Sequence, residues 1–496
     1  MREKMGCCSC LVSAGADCDQ APGQIAPDGD PIAVELATVR EAASRIDAMP
    51  TLTQLTDQTG PRLTASRCAH EAEEIVLARM RTIGLENVHA EPWTLPRGWE
   101  RGSAEAELIA PYRLPIPVAA YGWTGSTPAH HGAVPVVLLN ANEVEAHLQD
   151  LVRSQGPSWK GKVLLLSSKA DKPVHAYAEL LPLLRAATAA HAVAVFRHDT
   201  RPGNGLVHSE PVAVELPDPD PNLIPALDLP VEHQLLLERL LRANQPVRVS
   251  VNVLNHFTPG PVISRNIVGE IPGTVHPDQV ILIGAHLDSW DLGTGATDDG
   301  FGVVAVLGAA EAILQSGLHP NRTLRFVLFT GEEQGLLGSR AYVREHQREL
   351  HDIGAALALD WGAGPITMLP TAGHAELIPM LTRLNALAPE LHLDTPKNGW
   401  LFMTDAFAFT LAGIPGIAPL VDDPRYSEQG HSAEDTLDKV SLADLRQSTA
   451  VLAVSGFYLA EVPDLPSIHF SPEQTAASLI AGKQRSILEA LGLWPF

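Results

Sequence analysis

Four short apolar runs punctuate the second half of this chain: VILIG (280–284), TLRFVLFT (323–330), AALALD (355–360) and IPGIAPLV (414–421). Each leads through a polar loop into a stretch of helical length and spacing. An apolar run without alternation marks a strand buried on both faces, the condition of parallel strands covered by helices. Strand-loop-helix units repeated in this way wind into a three-layer α/β/α sandwich with a mostly parallel central sheet. In such sheets, ligands and chemistry collect at the C-terminal ends of the strands.

The first half is less uniform. IAVELATVREAASRIDAM (32–49) and RCAHEAEEIVLARMRTIGL (67–85) have helical periodicity, and NVHAEPWTL (87–95) reads as a strand. From Leu108 to Phe257 short strands with Pro and Gly punctuation predominate, interrupted by one helix-like run and a Pro-rich stretch, HSEPVAVELPDPDPNLIPALDLP. The expected organisation is a leader or disordered N-terminus (1–30), a first part of the α/β domain (31–107), a β-rich α+β insert (108–257) and a second part of the α/β domain (258–496). With 496 residues the chain exceeds one ordinary core, which agrees with a large domain carrying an insertion.

Composition narrows the partners. A formal net charge of -23 repels nucleic acid and anionic membranes, and no run of about 18 apolar residues exists to span a bilayer. Cys7, Cys8, Cys10 and Cys18 crowd the N-terminus, leaving Cys68 alone, so no disulfide framework is available. The segment MREKMGCCSCLVSAGA has a charged start, a weakly apolar middle and small residues after it, which resembles an atypical export signal and points to a periplasmic or extracellular protein. A second copy of the chain, in a homodimer, is left open as a partner.

Polar residues gather at the predicted strand ends. GAHLDSWDLGTGATDDGFG (284–302) follows VILIG and carries His286, Asp288, Asp298 and Asp299. Glu332 and Glu333 follow the next strand, Asp360 the third, and Asp422, Asp423 and His431 the fourth. Two imidazoles and several carboxylates on one sheet edge describe a site for a divalent metal, with zinc, cobalt or manganese suited to nitrogen and oxygen donors. The candidates exceed the needs of one tetrahedral ion; two ions sharing a bridging Asp, with a water between them, would use them.

GAHLDSWDLGTGATDDGFG, FTGEEQGLLGS, LALD and GHSAEDTLDKV together resemble the motifs of the di-zinc exopeptidases that include aminopeptidase Y and carboxypeptidase Q, the HLDSWD run most closely those of the carboxypeptidase Q branch. WKGKVLLL resembles the protease-associated domain inserted in such enzymes. The resemblance implies a metallo-exopeptidase with two zinc ions and a peptide substrate as its partner, acting as aminopeptidase, dipeptidase or carboxypeptidase. It implies His286 and Asp360 on one ion, Glu333 and His431 on the other, Asp298 as the bridge, and a cis bond after Asp298. Glu332 becomes the general acid/base and Asp288 the group orienting His286. Tyr426 resembles a tyrosine that stabilises the oxyanion. Trp361, Trp400, Phe402 and Thr404 are candidates for the substrate side. A glutaminyl cyclase-like acyltransferase and a non-catalytic receptor of the same fold are the alternatives; the complete ligand set argues against both.

Overall fold

The computed structural model describes residues 30–128, 132–167, 176–198, 201–213, 220–465 and 468–496. The proposed leader and its four cysteines therefore lie outside the described residues.

A six-stranded sheet runs in the order Glu86–Leu95, Val262–Ile271, Arg322–Phe329, His276–His286, Ile353–Ala358, Gly416–Ile417. The first two junctions are antiparallel and the other three parallel. The apolar runs alternate between two cores. Ile281, Ile283 and Ala285 face a cluster built with the helices Pro31–Ser44, Phe301–Ser316 and Leu442–Glu461. Val280 and Leu282 face another, formed with Tyr342 and Phe409 from the helices Leu337–Glu345 and Asp405–Leu411. Helices thus cover both faces, which explains why these strands carry no polar alternation.

The fourth run departs from expectation. IPGIAPLV forms two short strands: Gly416–Ile417 joins the main sheet, whereas Leu420–Val421 pairs with Ile366–Met368 in a separate ribbon. Pro419 between them has no N–H to continue a ladder.

A second sheet of eight strands lies between the first two strands of the main sheet in sequence, starting at Ala104 and ending at Val253. It is less β-rich than its sequence suggested. Val134–Leu139, Val163–Leu166, Ala194–Arg197 and Ala226–Asp228 pair in parallel, with the helices Ala141–Gln155 and Ala176–Ala189 in the first two connections. Apolar runs of four residues between Pro and Gly read as isolated strands, although the linking helices make them crossover units. Among the described residues no helix is long and apolar enough to cross a membrane.

Candidate metal centre

Sheet register brings the acidic loops together. His286 pairs with Phe329, three residues before Glu332, and Gly284 pairs with Ala358, two residues before Asp360. Three parallel strands therefore end level, and their loops deliver side chains to one place.

The long loop after His286 is held by groups outside it. Arg62, fully buried, donates from Nε to Leu287 O, from Nη1 to Thr294 O and from Nη2 to Gly295 O, each at 2.7 Å. Asp435 accepts from Thr297 N at 2.6 Å and from its hydroxyl at 2.9 Å. Gly295 has φ +65°, and a Cβ there would lie 2.3 Å from the Cβ of Ser289, so the turn excludes other residues. The Asp298–Asp299 peptide is cis.

Asp298 stands at the centre. Its Oδ1 lies 3.1 Å from His286 Nε2 and its Oδ2 3.2 Å from His431 Nε2. Asp360 Oδ1 is 3.7 Å from His286 Nε2, and Glu333 Oε2 is 3.1 Å from His431 Nε2. Potential ligand atoms of His286, Asp298 and Glu333 lie within 4.8 Å of one another, as do those of His286, Glu332 and Asp360. Proximity alone thus leaves Glu332 as eligible to ligate as its neighbour.

The chemistry of these side chains fits a cation. His286 Nε2 and Asp360 Oδ2 are buried without a hydrogen-bond partner, which is costly unless something else fills the role. Burial, reinforced by the charge of Asp360, pushes the Glu332 carboxyl well above its ordinary range. Burial and Asp298 push Glu333 up to about 7 despite the opposing pull of His431. Burial works against a charged His286, yet Asp298 and Asp360 hold its pKa well above the usual value. Buried carboxylates outnumber the imidazoles here, and divalent cations would offset the excess.

The remaining expected residues divide. Tyr426 reaches the centre, its hydroxyl donating to Asp298 Oδ2 at 2.7 Å. Trp361 stacks on Tyr426 with centroids 6.4 Å apart, and its backbone N–H donates to Asp360. Thr404 is buried at the start of the helix Asp405–Leu411, with its hydroxyl unpartnered. Asp288 corrects the expectation: His286 Nδ1 lies 3.0 Å from the backbone carbonyl of Asp288 but 3.8 Å from its carboxylate. The carboxylate instead accepts from Thr64 Oγ1 at 2.7 Å and from Glu332 N at 3.3 Å, so it braces the backbone of the Glu pair.

Asp299 accepts from the backbone N–H groups of His286 and Gly302, and Asp423 accepts from those of Ala363 and Arg425; both organise loops. Asp422 is exposed. Trp400 and Phe402 pack against a C-terminal apolar cluster with Phe407, Leu479 and Leu488.

Three contributors escaped the sequence reading. Arg62 precedes the first strand; Asp405 is buried, with its carboxyl pushed up to about 7 by burial. The third is Glu210, whose Oε1 lies 3.0 Å from His431 Nδ1. None carries a local signal, because each acts from a segment remote in sequence.

A family model described as peptidase family M28 matches residues 266–455. Carboxypeptidase Q of Bos taurus is 28% identical over 421 residues, covering 84% of this chain and 85% of that protein. The crystal structure of a peptidase M28 precursor from Shewanella amazonensis SB2B is 29% identical, covers 87% of this chain and 97% of that one, and superposes with a TM-score of 0.74. BSAP, a zinc aminopeptidase from Bacillus subtilis, shares the fold at 20% identity, with 85% of this chain and 97% of that one covered and a TM-score of 0.62.

Proposed function

We propose that the chain is a metallo-exopeptidase of peptidase family M28, a zinc-dependent hydrolase that cleaves dipeptides or the terminal bonds of short peptides at a two-metal centre; the family match over residues 266–455 and the similarity to carboxypeptidase Q and to a peptidase M28 precursor support this reading. The observation that carries this reading is the placement of Asp298, with one oxygen 3.1 Å from His286 Nε2 and the other 3.2 Å from His431 Nε2. A carboxylate so placed can serve two cations, each with its own imidazole. His286 and Asp360 are assigned to one zinc, Glu333 and His431 to the other, and Asp298 to both. The nitrogen and carboxylate donors also accommodate cobalt or manganese.

Bound zinc supplies a Lewis acid for the scissile carbonyl and a lowered pKa for coordinated water. The protein's own part is proton movement and positioning. Glu332 takes the proton of the attacking water and returns it to the leaving amine. Burial beside Asp360 raises the pKa of the Glu332 carboxyl, and cations held next to it would favour the carboxylate form that the base needs at the start of the reaction. Tyr426, whose hydroxyl donates to Asp298 Oδ2 in this structure, is assigned to turn that donor to the carbonyl oxygen, and Trp361 and Thr404 are assigned to the substrate side. Asp288 holds the Glu332 backbone in place. The second sheet is assigned as a protease-associated-like insert.

Zinc stoichiometry of the purified protein, with hydrolysis of a dipeptide panel before and after chelation, tests the proposal. Close to two zinc per chain and reversible loss of turnover are expected. One ion per chain after zinc reconstitution would refute the two-metal centre. Cyclisation of N-terminal glutamine without hydrolysis would favour an acyltransferase, and a zinc-loaded protein without turnover a receptor.

A further inference from the structure

Most of the residues assigned to the metals come from the strand ends and loops of the main sheet, but one side of His431 is made by the connection between Ala194–Arg197 and Ala226–Asp228 of the second. Ser209 N donates to His431 O at 2.8 Å, His208 forms a β-bridge with Ser432, and His208 Nε2 lies 3.1 Å from Glu428 O. The segment 208–210 therefore runs alongside the loop that carries His431. Glu210, 2% exposed, places Oε1 3.0 Å from His431 Nδ1. Arg201 Nη2 lies 2.8 Å from the same Nδ1 and 2.6 Å from Glu210 Oε1, while its Nη1 donates to Gly430 O at 3.2 Å.

These two neighbours ask opposite things of the imidazole. A guanidinium only donates, so pairing with Arg201 requires Nδ1 to carry a lone pair and leaves the proton on Nε2. A carboxylate accepts, so pairing with Glu210 places the proton on Nδ1 and frees the Nε2 lone pair. Nε2 faces Asp298 and Glu333 at 3.2 and 3.1 Å, and only its lone pair can bind a cation there. The carboxylate must prevail for His431 to be a ligand. The 2.6 Å contact with Glu210 also engages the Arg201 donor that would otherwise compete.

We propose that Glu210 is the positioning residue for the second metal ligand, holding His431 in the form protonated on Nδ1 with Nε2 turned toward the metal, and that the second sheet thereby completes the metal centre. This rests on the two-metal reading above. It goes beyond it by making the affinity of one ion depend on a residue outside the 266–455 segment matched by the family model.

The test measures zinc affinity by competition with a chromophoric chelator for the full-length protein and its Glu210→Leu, Glu210→Gln and Glu210→Leu/Arg201→Leu variants. Removing the carboxylate leaves Arg201 facing Nδ1, so Glu210→Leu should weaken one of the two ions by roughly 10–100-fold and leave the other unchanged. Glu210→Gln, of the same shape and with one acceptor oxygen, should lose less. The double variant removes the opposing donor and should regain affinity relative to Glu210→Leu, which a merely structural role for Glu210 would not produce. The absorption of the cobalt-substituted protein should change in the component belonging to the weakened ion. Unchanged affinity at both ions in Glu210→Leu and Glu210→Gln would overturn the inference, and so would a double variant weaker than Glu210→Leu. A wild-type protein binding a single ion would instead overturn the two-metal reading itself, which keeps the two failures apart.

Discussion

The Tyr426 hydroxyl donates a 2.7 Å hydrogen bond to Oδ2 of Asp298, the oxygen that also faces His431. Tyr426 opens a short helix, Tyr426–Gln429, that ends two residues before His431. Burial pushes its phenol well above the ordinary range, with the charge of Asp298 adding to it, so the group stays protonated and able to donate.

Tyr426→Phe should therefore retain its zinc while kcat falls about 10²-fold, the effect of removing one donor to a developing oxyanion. Zinc content and steady-state kinetics on one dipeptide decide it. If metal is lost in proportion to turnover, the hydroxyl serves Asp298 and has no role toward the substrate.

Asp298→Ala should lose more metal than His286→Ala. The aspartate presents an oxygen to each imidazole, whereas the imidazole serves one ion. Metal analysis after dialysis against a weak chelator is expected to leave His286→Ala with one ion retained and Asp298→Ala depleted of both. Equal occupancy in the two variants would contradict the bridge.

Much of the assigned set was legible in the sequence because His286 ends its strand and Glu332, Glu333 and Asp360 follow theirs closely, whereas Asp298 and His431 lie deeper in their loops. The parallel register, His286 beside Phe329 and Gly284 beside Ala358, turns a pattern along the chain into proximity in space. What escaped was whatever depends on a partner distant in sequence. Glu210 sits in a Pro-rich connection some 220 residues from His431, and its role comes from a β-bridge that no local pattern announces. The role of Asp288 was misplaced for a different reason. A carboxylate two residues from a histidine suggests a pair, but the tight backbone brings the carbonyl of Asp288 to Nδ1 and sends its side chain toward Glu332. The second sheet was read as β-rich because four-residue apolar runs do not disclose whether helices between them make them parallel.

Stability toward acid should depend on a buried group that has no part in the assigned metal centre. His374 is buried against Phe470 with centroids 4.0 Å apart, and its Nδ1 has no hydrogen-bond partner. Burial, with the charge of His469 adding to it, lowers its pKa to about 4, whereas the unfolded chain titrates at the ordinary histidine value of about 6.5. Between those values the unfolded state binds the extra proton, so the contribution is fully present above about pH 6.5 and is lost as pH falls toward about 4. His374→Phe keeps an aromatic ring and removes the titration. Its melting temperature should fall less than that of wild type between pH 6.5 and 4.5, and parallel curves for the two proteins would refute the assignment.

The adjacent pair Glu332 and Glu333 offers the sharpest separation of ligand from proton carrier. Both are buried and both lie close enough to the cluster to bind metal, so proximity does not distinguish them. Their surroundings do. Glu333 Oε2 faces His431 Nε2 at 3.1 Å while its Oε1 accepts from Trp290 N at 3.1 Å, an anchored carboxylate with one oxygen turned to the centre. Glu332 is positioned through its backbone, with Asp288 accepting from its N–H, and its Oε1 has no hydrogen-bond partner. An anchored oxygen suits a ligand, and an unanchored one suits a group that exchanges protons with water. Glu332→Gln should therefore keep its zinc and its fold, while turnover falls by the ~10²–10⁴ typical of a lost general base, or more, because the same group protonates the departing amine. Glu333→Gln should lose zinc first and activity as a consequence, so that added zinc restores part of it. Zinc stoichiometry, zinc titration of activity and dipeptide hydrolysis on both variants make the comparison. A zinc-depleted Glu332→Gln beside a zinc-replete Glu333→Gln would reverse the two roles, and a fully active Glu332→Gln would remove Glu332 from the reaction.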